Sequence, residues 1–364
     1  MSDRAAVLVH GATGFTGKLV CSVLARKEVP FAIAGRNKEK LEALAKSFDG
    51  SVAAPVEIAV IDLHQEATIR AALENRKVVC ACAGPFIEVG EPILAAAARM
   101  GVHYADTTGE QKFVALALSR YRSAAEASGA CVVPAMAYEI APGDWAAHAA
   151  AQKLGENPDE INVVYMNQPA DGMNDATSRG TKLSMIAMTA DGDPRQYLDG
   201  ELRAEAAAAV VREFASPSGK KMWSVSFPSP ESVVVPSHTG AKNVRTFMAM
   251  AKSAAKAMQV TRALTPAAMR LFKAPLEKWI AKSSAGPEGA SRKASFHILA
   301  EATKGSRTER VFISGSDPYG ITAELQALFA QHAIAGKIKA RGVVAPSVAI
   351  AFDDVKAELA LTLS

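Results

Sequence analysis

The segment Val7–Gly17, V-L-V-H-G-A-T-G-F-T-G, constrains the fold of this chain more than any other feature. Four residues of strand character run into glycines at 11, 14 and 17, and a helical pattern follows at once. A glycine suits a tight turn and a backbone that approaches a pyrophosphate, and the first helical turn offers N–H groups to that anion. The segment therefore predicts a dinucleotide-binding loop. The alternative is an ordinary strand–turn–helix without a ligand.

The end of the second predicted strand indicates which dinucleotide binds. NAD-binding proteins place an acidic residue at this point, whereas here the chain reads Gly35-Arg36-Asn37-Lys38. A guanidinium grips a 2′-phosphate that a carboxylate would repel. We therefore predict NADP(H) as the cofactor, with Arg36 as a simple solvated cation being the alternative.

Short apolar strands alternate with helices through the first 138 residues, which predicts a Rossmann-type, doubly wound parallel sheet in an α/β domain. From Glu139 onward the strands alternate or are β-branched, which predicts an inserted α+β substrate domain on a mixed sheet. The predicted domains are 1–138 for NADP binding, 139–316 for substrate, and 317–364 as a C-terminal return onto the first domain. Val233–Pro236 is predicted as a strand, and Ser283–Ser291 as a loop.

The ligand of a doubly wound sheet lies beyond the carboxyl ends of its strands. Asp62 ends one strand and suits an adenine contact, while Ala83-Gly84-Pro85 follows another and suits the nicotinamide ribose. The predicted cofactor-binding residues are Gly11, Thr13, Gly14, Phe15, Thr16, Gly17, Arg36, Asn37, Asp62, Ala83, Gly84 and Pro85.

Composition excludes several classes of protein. The four cysteines form no C-x-x-C pair or His/Cys cluster, so we expect buried thiols, no metal site and a reducing compartment, with a cytoplasmic location. No secretory signal and no membrane-spanning run are expected. Between Lys242 and Lys293 there are eleven Lys and Arg against two Glu, a local charge of +9 in a chain of +4. This segment predicts either peripheral contact with a membrane or an acyl carrier, or a solvated face that packs on its own domain. Nucleic acid is not an expected partner, and a homodimer stays open.

Several motifs resemble the saccharopine dehydrogenase-like family, in the branch that contains trans-acting enoyl reductases. They are G-A-T-G-F-T-G at 11–17, A-G-R-N-K-E-K-L at 34–41, G-P-F-I-E-V-G-E-P at 84–92, Y-A-D-T-T-G-E at 104–110, G-P-E-G-A-S-R-K-A-S-F at 286–296, G-S-D-P-Y-G-I-T-A at 315–323 and G-V-V-A-P-S-V-A-I-A-F at 342–352. The resemblance implies an NADP-dependent oxidoreductase with an inserted substrate domain. One departure is Tyr138-Glu139-Ile140, where relatives often carry Phe-Asp-Ser.

A reductase also needs a proton source for the substrate. We predict Tyr104, Asp106 and Tyr138 as catalytic residues, with the alternative that Asp106 caps the helix that begins near Lys112. Asp144 is a further candidate, but it can equally be explained as an acid that stabilises the N-terminus of a helix. His103 and His238 are expected to have structural roles.

Three functions remain open: reduction of an enoyl-type C=C bond in a small-molecule or acyl-type substrate, saccharopine-type C=N or amino-acid chemistry, and a non-catalytic NADP-bound scaffold. The second needs cationic clamps for substrate carboxylates, for which Arg179, Lys182 and Arg245 are the candidates.

Overall fold

The computed structural model describes residues 4–52, 55–168, 177–282, 286 and 294–364. The strands are β1 (Val7–His10), β2 (Phe31–Gly35), β3 (Glu57–Val60), β4 (Val78–Ala81), β5 (His103–Asp106), β6 (Cys131–Val133), β7 (Glu160–Gln168), β8 (Arg195–Leu198), β9 (Glu201–Ala204), β10 (Val211–Ala215), β11 (Lys221–Ser226), β12 (Val244–Ala249), β13 (Ser295–Lys304), β14 (Arg307–Ser316), β15 (Gly342–Val343) and β16 (Thr362–Leu363).

The helices are α1 (Phe15–Arg26), α2 (Lys38–Lys46), α3 (Glu66–Leu73), α4 (Phe86–Val89), α5 (Glu91–Met100), α6 (Gln111–Ser128), α7 (Ala141–Leu154), α8 (Arg179–Asp191), α9 (Glu231–Val234), α10 (Pro236–Thr239), α11 (Lys252–Thr261), α12 (Thr265–Ile280), α13 (Pro318–Ile334) and α14 (Pro346–Ala349). No helix in the described part of the chain is long and apolar enough to cross a membrane.

The chain divides into two compact units. Unit 1 comprises residues 1–108, 112–138 and 319–350, and unit 2 comprises residues 109–111, 139–318 and 351–364. The chain therefore passes between the units several times, and each unit is built from segments that are distant in sequence.

Unit 1 contains a seven-stranded sheet of order β15-β6-β5-β4-β1-β2-β3, in which every pairing is parallel. Strands β1, β4 and β6 are buried along their whole length, as expected for a parallel sheet with helices on both faces. Apolar residues Leu8, Val79 and Val132 of these strands share one core cluster. The doubly wound α/β fold predicted from the sequence is confirmed.

Unit 2 contains a nine-stranded sheet. Its main path is β10-β11-β12-β7-β13-β14-β16, with β8 paired to β12 and β9 to β8. The β12–β7 pairing is parallel and the others are antiparallel, so the sheet is mixed, as predicted. Val164, Phe247 and Leu299, from three adjacent strands, are buried together in its core.

The structure corrects one sequence-based prediction, adds elements that were not predicted, and leaves one prediction untested. Val233–Pro236 is not a strand but lies in the short helices α9 and α10, because Pro236 sits in the first turn of a helix, where its missing N–H costs nothing. Helices α8 and α11 and the hairpin β8–β9 were not predicted. The predicted loop Ser283–Ser291, apart from residue 286, lies outside the described residues, as does part of the motif at 286–296.

The C-terminal return is shorter than predicted. Residues 319–350 belong to unit 1, but residues 351–364 belong to unit 2 rather than packing on the nucleotide-binding unit. Two contacts explain this correction. Strand β16 adds to the edge of the unit 2 sheet beside β14, and the ring of Phe352 packs on Trp145 with a centroid distance of 5.7 Å.

Candidate NADP and proton-transfer sites

The loop between β1 and α1 leaves no room for a Cβ at two of its three glycines and little room at the third. Gly11 has a φ of +74°, and a Cβ placed on it would lie 2.7 Å from the main-chain N of Ala83. A Cβ on Gly14 would lie 3.2 Å from the carbonyl oxygen of Gly11, and one on Gly17 would lie 2.8 Å from Ala12 Cα. The loop is therefore packed so tightly against itself and the end of β4 that a side chain is excluded at Gly11 and Gly17 and would be crowded at Gly14.

The N-terminus of α1 is open to an anion. Gly14 occupies the position before the helix and provides no side-chain cap, and the first turn contains no acidic residue. The first N–H groups of a helix have no partner within the helix, and the helix dipole places partial positive charge there. His10, buried at the end of β1, adds no charge, because burial lowers its pKa to about 4. The glycines and Thr13 of the loop, with Phe15 and Thr16 in the first turn of α1, fit the pyrophosphate of a dinucleotide.

Arg36 follows β2 directly and is exposed. The next residue, Asn37, has a local structural role, because its Oδ1 accepts a hydrogen bond of 2.8 Å from the main-chain N–H of Lys40 and so caps α2. A guanidinium at this strand end fits a 2′-phosphate, and no carboxylate follows until Glu39. Cofactor contact by Asn37 stays a prediction, and the structure explains this residue through the helix cap.

Asp62 follows β3 and holds its own turn together. Its two carboxylate oxygens accept from the main-chain N–H of His64 (2.9 Å) and from the side-chain amide of Gln65 (2.8 Å), and these bonds lower the pKa of Asp62. Ala83, Gly84 and Pro85 follow β4 at the same edge of the parallel sheet. The residues predicted to contact adenine and the nicotinamide ribose are thus at the carboxyl ends of strands, where such ligands bind.

Tyr104 and Asp106 lie on β5 and are completely buried. Asp106 Oδ1 accepts main-chain N–H bonds from Thr108 (2.9 Å) and Ala135 (2.8 Å). The second bond holds Ala135 at a φ of +63°, which a residue with a Cβ adopts rarely. This carboxylate therefore ties the end of β5 to the turn after β6. This oxygen does not cap the helix near Lys112, which was the alternative role.

Burial raises the pKa of the Tyr104 hydroxyl well above its usual range, and the neighbouring Asp106 carboxylate raises it further. The tyrosine is therefore a neutral donor at physiological pH. The catalytic roles of Tyr104 and Asp106 stay predictions.

The return helix α13 packs beside the predicted cofactor loop within unit 1. The ring of Tyr319, at its start, packs edge-on against the ring of Phe15, with centroids 5.2 Å apart. One turn later the Thr322 hydroxyl accepts a hydrogen bond of 3.1 Å from the main-chain N–H of Tyr138. The motif at 315–323 thus has a structural role, because it fixes both the loop and the last residue before the chain enters unit 2.

Unit 2 contains a buried acidic cluster that sequence reasoning missed. The hydroxyl of Tyr165 contacts both Glu231 Oε1 and the main-chain oxygen of Glu139, and Ser229 Oγ contacts Glu231 Oε2. Burial raises the pKa of Glu231 to about 7. A protonated Glu231 can donate to Tyr165, which then donates to the carbonyl of Glu139, so every proton of this chain has an acceptor.

Glu139 is the second acid of this acidic cluster of Glu139, Tyr165, Ser229 and Glu231. Burial raises its pKa to about 7, and among the described residues its buried Oε2 has no hydrogen-bond partner. Its Cγ would be 3.7 Å from a Cβ placed on Gly109, a residue of the same unit. A carboxyl group with one uncommitted oxygen and a pKa near neutrality is suited to proton transfer.

A separate pair lies along α7. Asp144, fully buried in the first turn of that helix, is 2.6 Å from His238 Nε2 through its Oδ1. Burial alone would lower the pKa of His238, but the Asp144 carboxylate outweighs it and the net shift is upward. His238 Nδ1 in turn lies 3.3 Å from His148 Nδ1. His238 is thus a partnered group, and its structural role stays a prediction.

Arg245, one of the three predicted carboxylate clamps, is already neutralised. Its guanidinium pairs with Glu205 (3.2 Å) and Glu160 (3.3 Å) within unit 2. Arg179 donates to the main-chain oxygen of Ala281 at 3.2 Å. Among the described residues no group of His, Cys, Asp and Glu is arranged to hold a metal ion.

Residues 7–133 match the family model described as the saccharopine dehydrogenase NADP binding domain. The match confirms the resemblance inferred from the sequence and NADP(H) as the cofactor of the domain, and it contains the glycine loop and Arg36. It also agrees with the predicted class, an NADP-dependent oxidoreductase.

Two curated relatives are named as trans-acting enoyl reductases. The trans-acting enoyl reductase of Mycobacterium ulcerans (strain Agy99) is 30% identical over 200 residues, covering 52% of this chain and 46% of that protein. A putative trans-acting enoyl reductase of Mycobacterium tuberculosis (strain ATCC 25618 / H37Rv) is 31% identical over 196 residues, covering 52% and 45%. The chain therefore spans about half the length of the curated relatives it matches.

Two solved structures share the fold over nearly the whole chain. Saccharopine dehydrogenase (L-Glu forming) from Saccharomyces cerevisiae aligns with a TM-score of 0.63 over 99% of both chains at 14% identity. Homospermidine synthase from Legionella pneumophila aligns with a TM-score of 0.59 over 99% of this chain and 91% of that one, at 8% identity. At these identities the likeness establishes the fold, including the mixed sheet of unit 2.

Proposed function

We propose that this protein is an NADPH-dependent reductase that transfers a hydride to an activated C=C bond of an enoyl-type, acyl-bearing small molecule. The observation that carries the proposal is the glycine loop, in which Gly11 and Gly17 leave no room for a Cβ and Gly14 leaves little, together with the uncapped N-terminus of α1 and Arg36 after β2. The relatives named trans-acting enoyl reductase support C=C as the reacting bond. The four free thiols support a reducing, cytoplasmic setting.

The residues of unit 1 would hold the cofactor in the order of its groups. The N–H groups of the loop and of the first turn of α1 would bind the pyrophosphate, and Arg36 would bind the 2′-phosphate. Asp62 and the segment 83–85 would lie along the adenine and the nicotinamide ribose. When bound, NADPH supplies the hydride, so the protein has to orient the substrate and provide a proton.

Glu139 is the proposed proton donor. Its carboxyl group has a pKa of about 7, so a large fraction is protonated at neutral pH, and its buried Oε2 is not committed to another described residue. It follows Tyr138 directly, where the chain passes from unit 1 to unit 2. Reduction of an enoyl group leaves a carbanion-like α-carbon that must be protonated, and a positioned acid of this pKa serves that step.

Tyr104, Asp106 and Tyr138 remain proposed contributors to the site. Asp106 would act mainly as a positioning residue, because its Oδ1 fixes two main-chain N–H groups at the end of β5. Tyr104 would support it as a neutral neighbour. Tyr138 is held through its main chain by Thr322, next to the proposed proton donor in the sequence.

The amino-acid and C=N alternative is weakened by charge. A substrate with two or three carboxylates needs cations that are free to bind them, but Arg245 is paired with two carboxylates of its own unit. Apolar acyl substrates make no such demand. The scaffold alternative, in which NADP is bound without turnover, gives no catalytic role to the raised pKa of Glu139.

Consumption of NADPH with three substrate classes tests the proposal: enoyl thioesters, cyclic imines, and 2-oxo acids with an amine. We expect turnover with enoyl thioesters alone. Turnover restricted to imines or to oxo acid and amine would replace it with the saccharopine-type alternative. Tight NADPH binding without any turnover would favour the scaffold.

Glu139→Gln tests the proton donor. The amide keeps the size of the side chain but cannot release a proton, so we expect kcat to fall by about a hundredfold or more while NADPH affinity is unchanged. The kcat of the parent protein should fall as pH rises above about 7, where Glu139 ionises. Glu213→Gln, at an exposed acid of β10, is the matched control and should leave both quantities unchanged.

A further inference from the structure

Helix α12 has an apolar face that nothing in the described part of the chain covers. At 100° per residue, positions 267, 268, 271, 272, 274, 275, 278 and 279 fall within one arc of about 160°. All eight are exposed, and all but Lys278 are apolar. Leu271 is 74% exposed, Phe272 55% and Trp279 68%. We call these eight positions the outer face of α12.

The opposite side of the same helix packs on unit 2. Ile280 is buried, and Met269 and Leu276 are partly buried on that side. Arg270 donates to the main-chain oxygens of Ala190 (2.6 Å) and Asp191 (2.8 Å) at the end of α8. The helix is therefore anchored by one apolar stripe and exposes another. Sequence periodicity alone leaves open whether this segment packs on its own domain, and only its inner stripe does so.

The preceding helix and turn also expose large apolar residues. Val260, near the end of α11, is 82% exposed, and Met258 and Leu264 are also exposed. A monomer scatters exposed apolar residues singly, whereas a run of large ones on one helix face marks an interaction surface.

The segment of the chain that contains α11 and α12 carries mostly positive charge. From Lys252 to Lys282 the sequence contains seven cations against one acid, a net charge of +6. The acid, Glu277, lies 3.7 Å from Lys273 and is neutralised by it. The cations comprise Lys252, Lys256, Arg262, Arg270, Lys273, Lys278 and Lys282.

We infer that α11 and α12 dock on an anionic lipid surface, with the outer face of α12 in the boundary between headgroups and acyl chains. Leu, Phe and Trp on one face and Lys or Arg beside it are the composition of a helix that lies in this plane. The outer face is about 18 Å long from residue 267 to residue 279, which suits a helix lying flat. Lys278 extends its charge from the apolar face toward the headgroups.

Two other occupants fit this face less well. A protein partner such as an acidic acyl carrier forms about ten hydrogen bonds in a typical interface, but the outer face has a single polar side chain. A second copy of this chain would bring the same cations face to face in a two-fold contact, and like charges repel. Binding to a lipid surface requires only apolar side chains that can be immersed and nearby positive charge, and the outer face and its neighbouring residues provide both.

Sedimentation with vesicles tests the inference on the full chain. We expect binding to phosphatidylcholine vesicles that contain phosphatidylserine, weaker binding to pure phosphatidylcholine, and a loss of the difference at high salt. Leu271→Glu with Phe272→Glu should lower the partition coefficient by at least about tenfold, because two immersed side chains become charged. Val348→Glu, at an exposed apolar residue of unit 1, is the control and should bind as the parent does.

Charge and depth are tested separately. Lys278→Glu with Lys282→Glu should abolish the preference for phosphatidylserine. The fluorescence of Trp279 should shift to the blue on vesicle binding, and Trp279→Phe should remove that shift while binding remains. Absence of binding to both vesicle types would overturn the inference. So would a dimer in solution that the Leu271→Glu, Phe272→Glu variant dissociates, or binding to an acidic acyl carrier but not to lipid.

Discussion

Gln326 of α13 donates its side-chain amide to the main-chain oxygen of Asp106 at 2.9 Å. The same amide nitrogen donates to the main-chain oxygen of Met136 at 2.8 Å. All three residues are completely buried. The return helix therefore satisfies carbonyl groups at the carboxyl end of β5 and beyond β6. Through this amide a segment about two hundred residues away in the sequence completes the strand edge at which the proposed site lies.

Gln326→Leu should destabilise unit 1. Leucine has a similar volume but leaves the carbonyls of Asp106 and Met136 buried without this donor, and we expect a loss of about 2–4 kcal/mol in the free energy of unfolding. Chemical denaturation, monitored through the loss of NADPH binding, measures this change in the free energy of unfolding. Gln331→Leu, at a half-buried glutamine of the same helix, should cost much less. Equal effects of the two changes would contradict the proposed link.

The sheet of unit 1 could be predicted because its strands are recognisable locally. Each is a short apolar run followed by a helix, and a strand buried on both faces tolerates no polar alternation. The strand prediction for Val233–Pro236 is wrong for the same reason, because a short apolar run in a buried helix looks like a buried strand. Only the position of Pro236 distinguishes the two.

The acidic cluster of unit 2 could not be predicted from the sequence. Glu139, Tyr165 and Glu231 are far apart in the chain, and no spacing rule relates a turn before a helix, a central strand and a short helix. Their meeting depends on the mixed sheet, whose order is not readable from the strands alone. Periodicity likewise indicates two apolar stripes on α12 but not which of them is covered.

Arg36→Ala should remove most of the preference for NADPH. The charge-assisted bond to the 2′-phosphate is worth about 1–3 kcal/mol, so NADPH affinity should fall by about 5- to 150-fold while NADH affinity stays the same. Fluorescence titration with both cofactors measures the ratio. Lys40→Ala removes a nearby exposed cation and should leave the ratio intact. A parent protein that binds the two cofactors equally would sink the assignment of Arg36.

Asp106→Asn and Asp106→Ala should behave differently. Asparagine keeps an oxygen that can accept from Thr108 and Ala135, so we expect a stability loss below about 1.5 kcal/mol. It removes the negative charge beside Tyr104, so turnover should fall far more than NADPH affinity. Alanine removes the acceptor of both N–H groups, so about 3 kcal/mol or more should be lost. If asparagine destabilised the protein as much as alanine, a purely structural role would be favoured.

Glu231→Gln should make the protein more stable at alkaline pH. The folded-state pKa of Glu231 is about 7, mainly because of burial, whereas an unfolded glutamate ionises near its ordinary value of about 4.3. An acid whose pKa is raised on folding contributes no penalty below its unfolded pKa. As pH rises the unfolded state loses its proton first, so stability falls between these two values and levels off above about 7.

The difference of somewhat under three pKa units corresponds to about 4 kcal/mol as an upper limit. Denaturation of parent and variant at pH 5 and pH 8 should therefore give a gap that moves in favour of glutamine at the higher pH. Glu213→Gln, at an exposed acid, should show no such movement. A gap that stays constant between those pH values would mean that Glu231 is already ionised in the fold at pH 5, and Tyr165 would then donate to Glu231 instead of accepting from it.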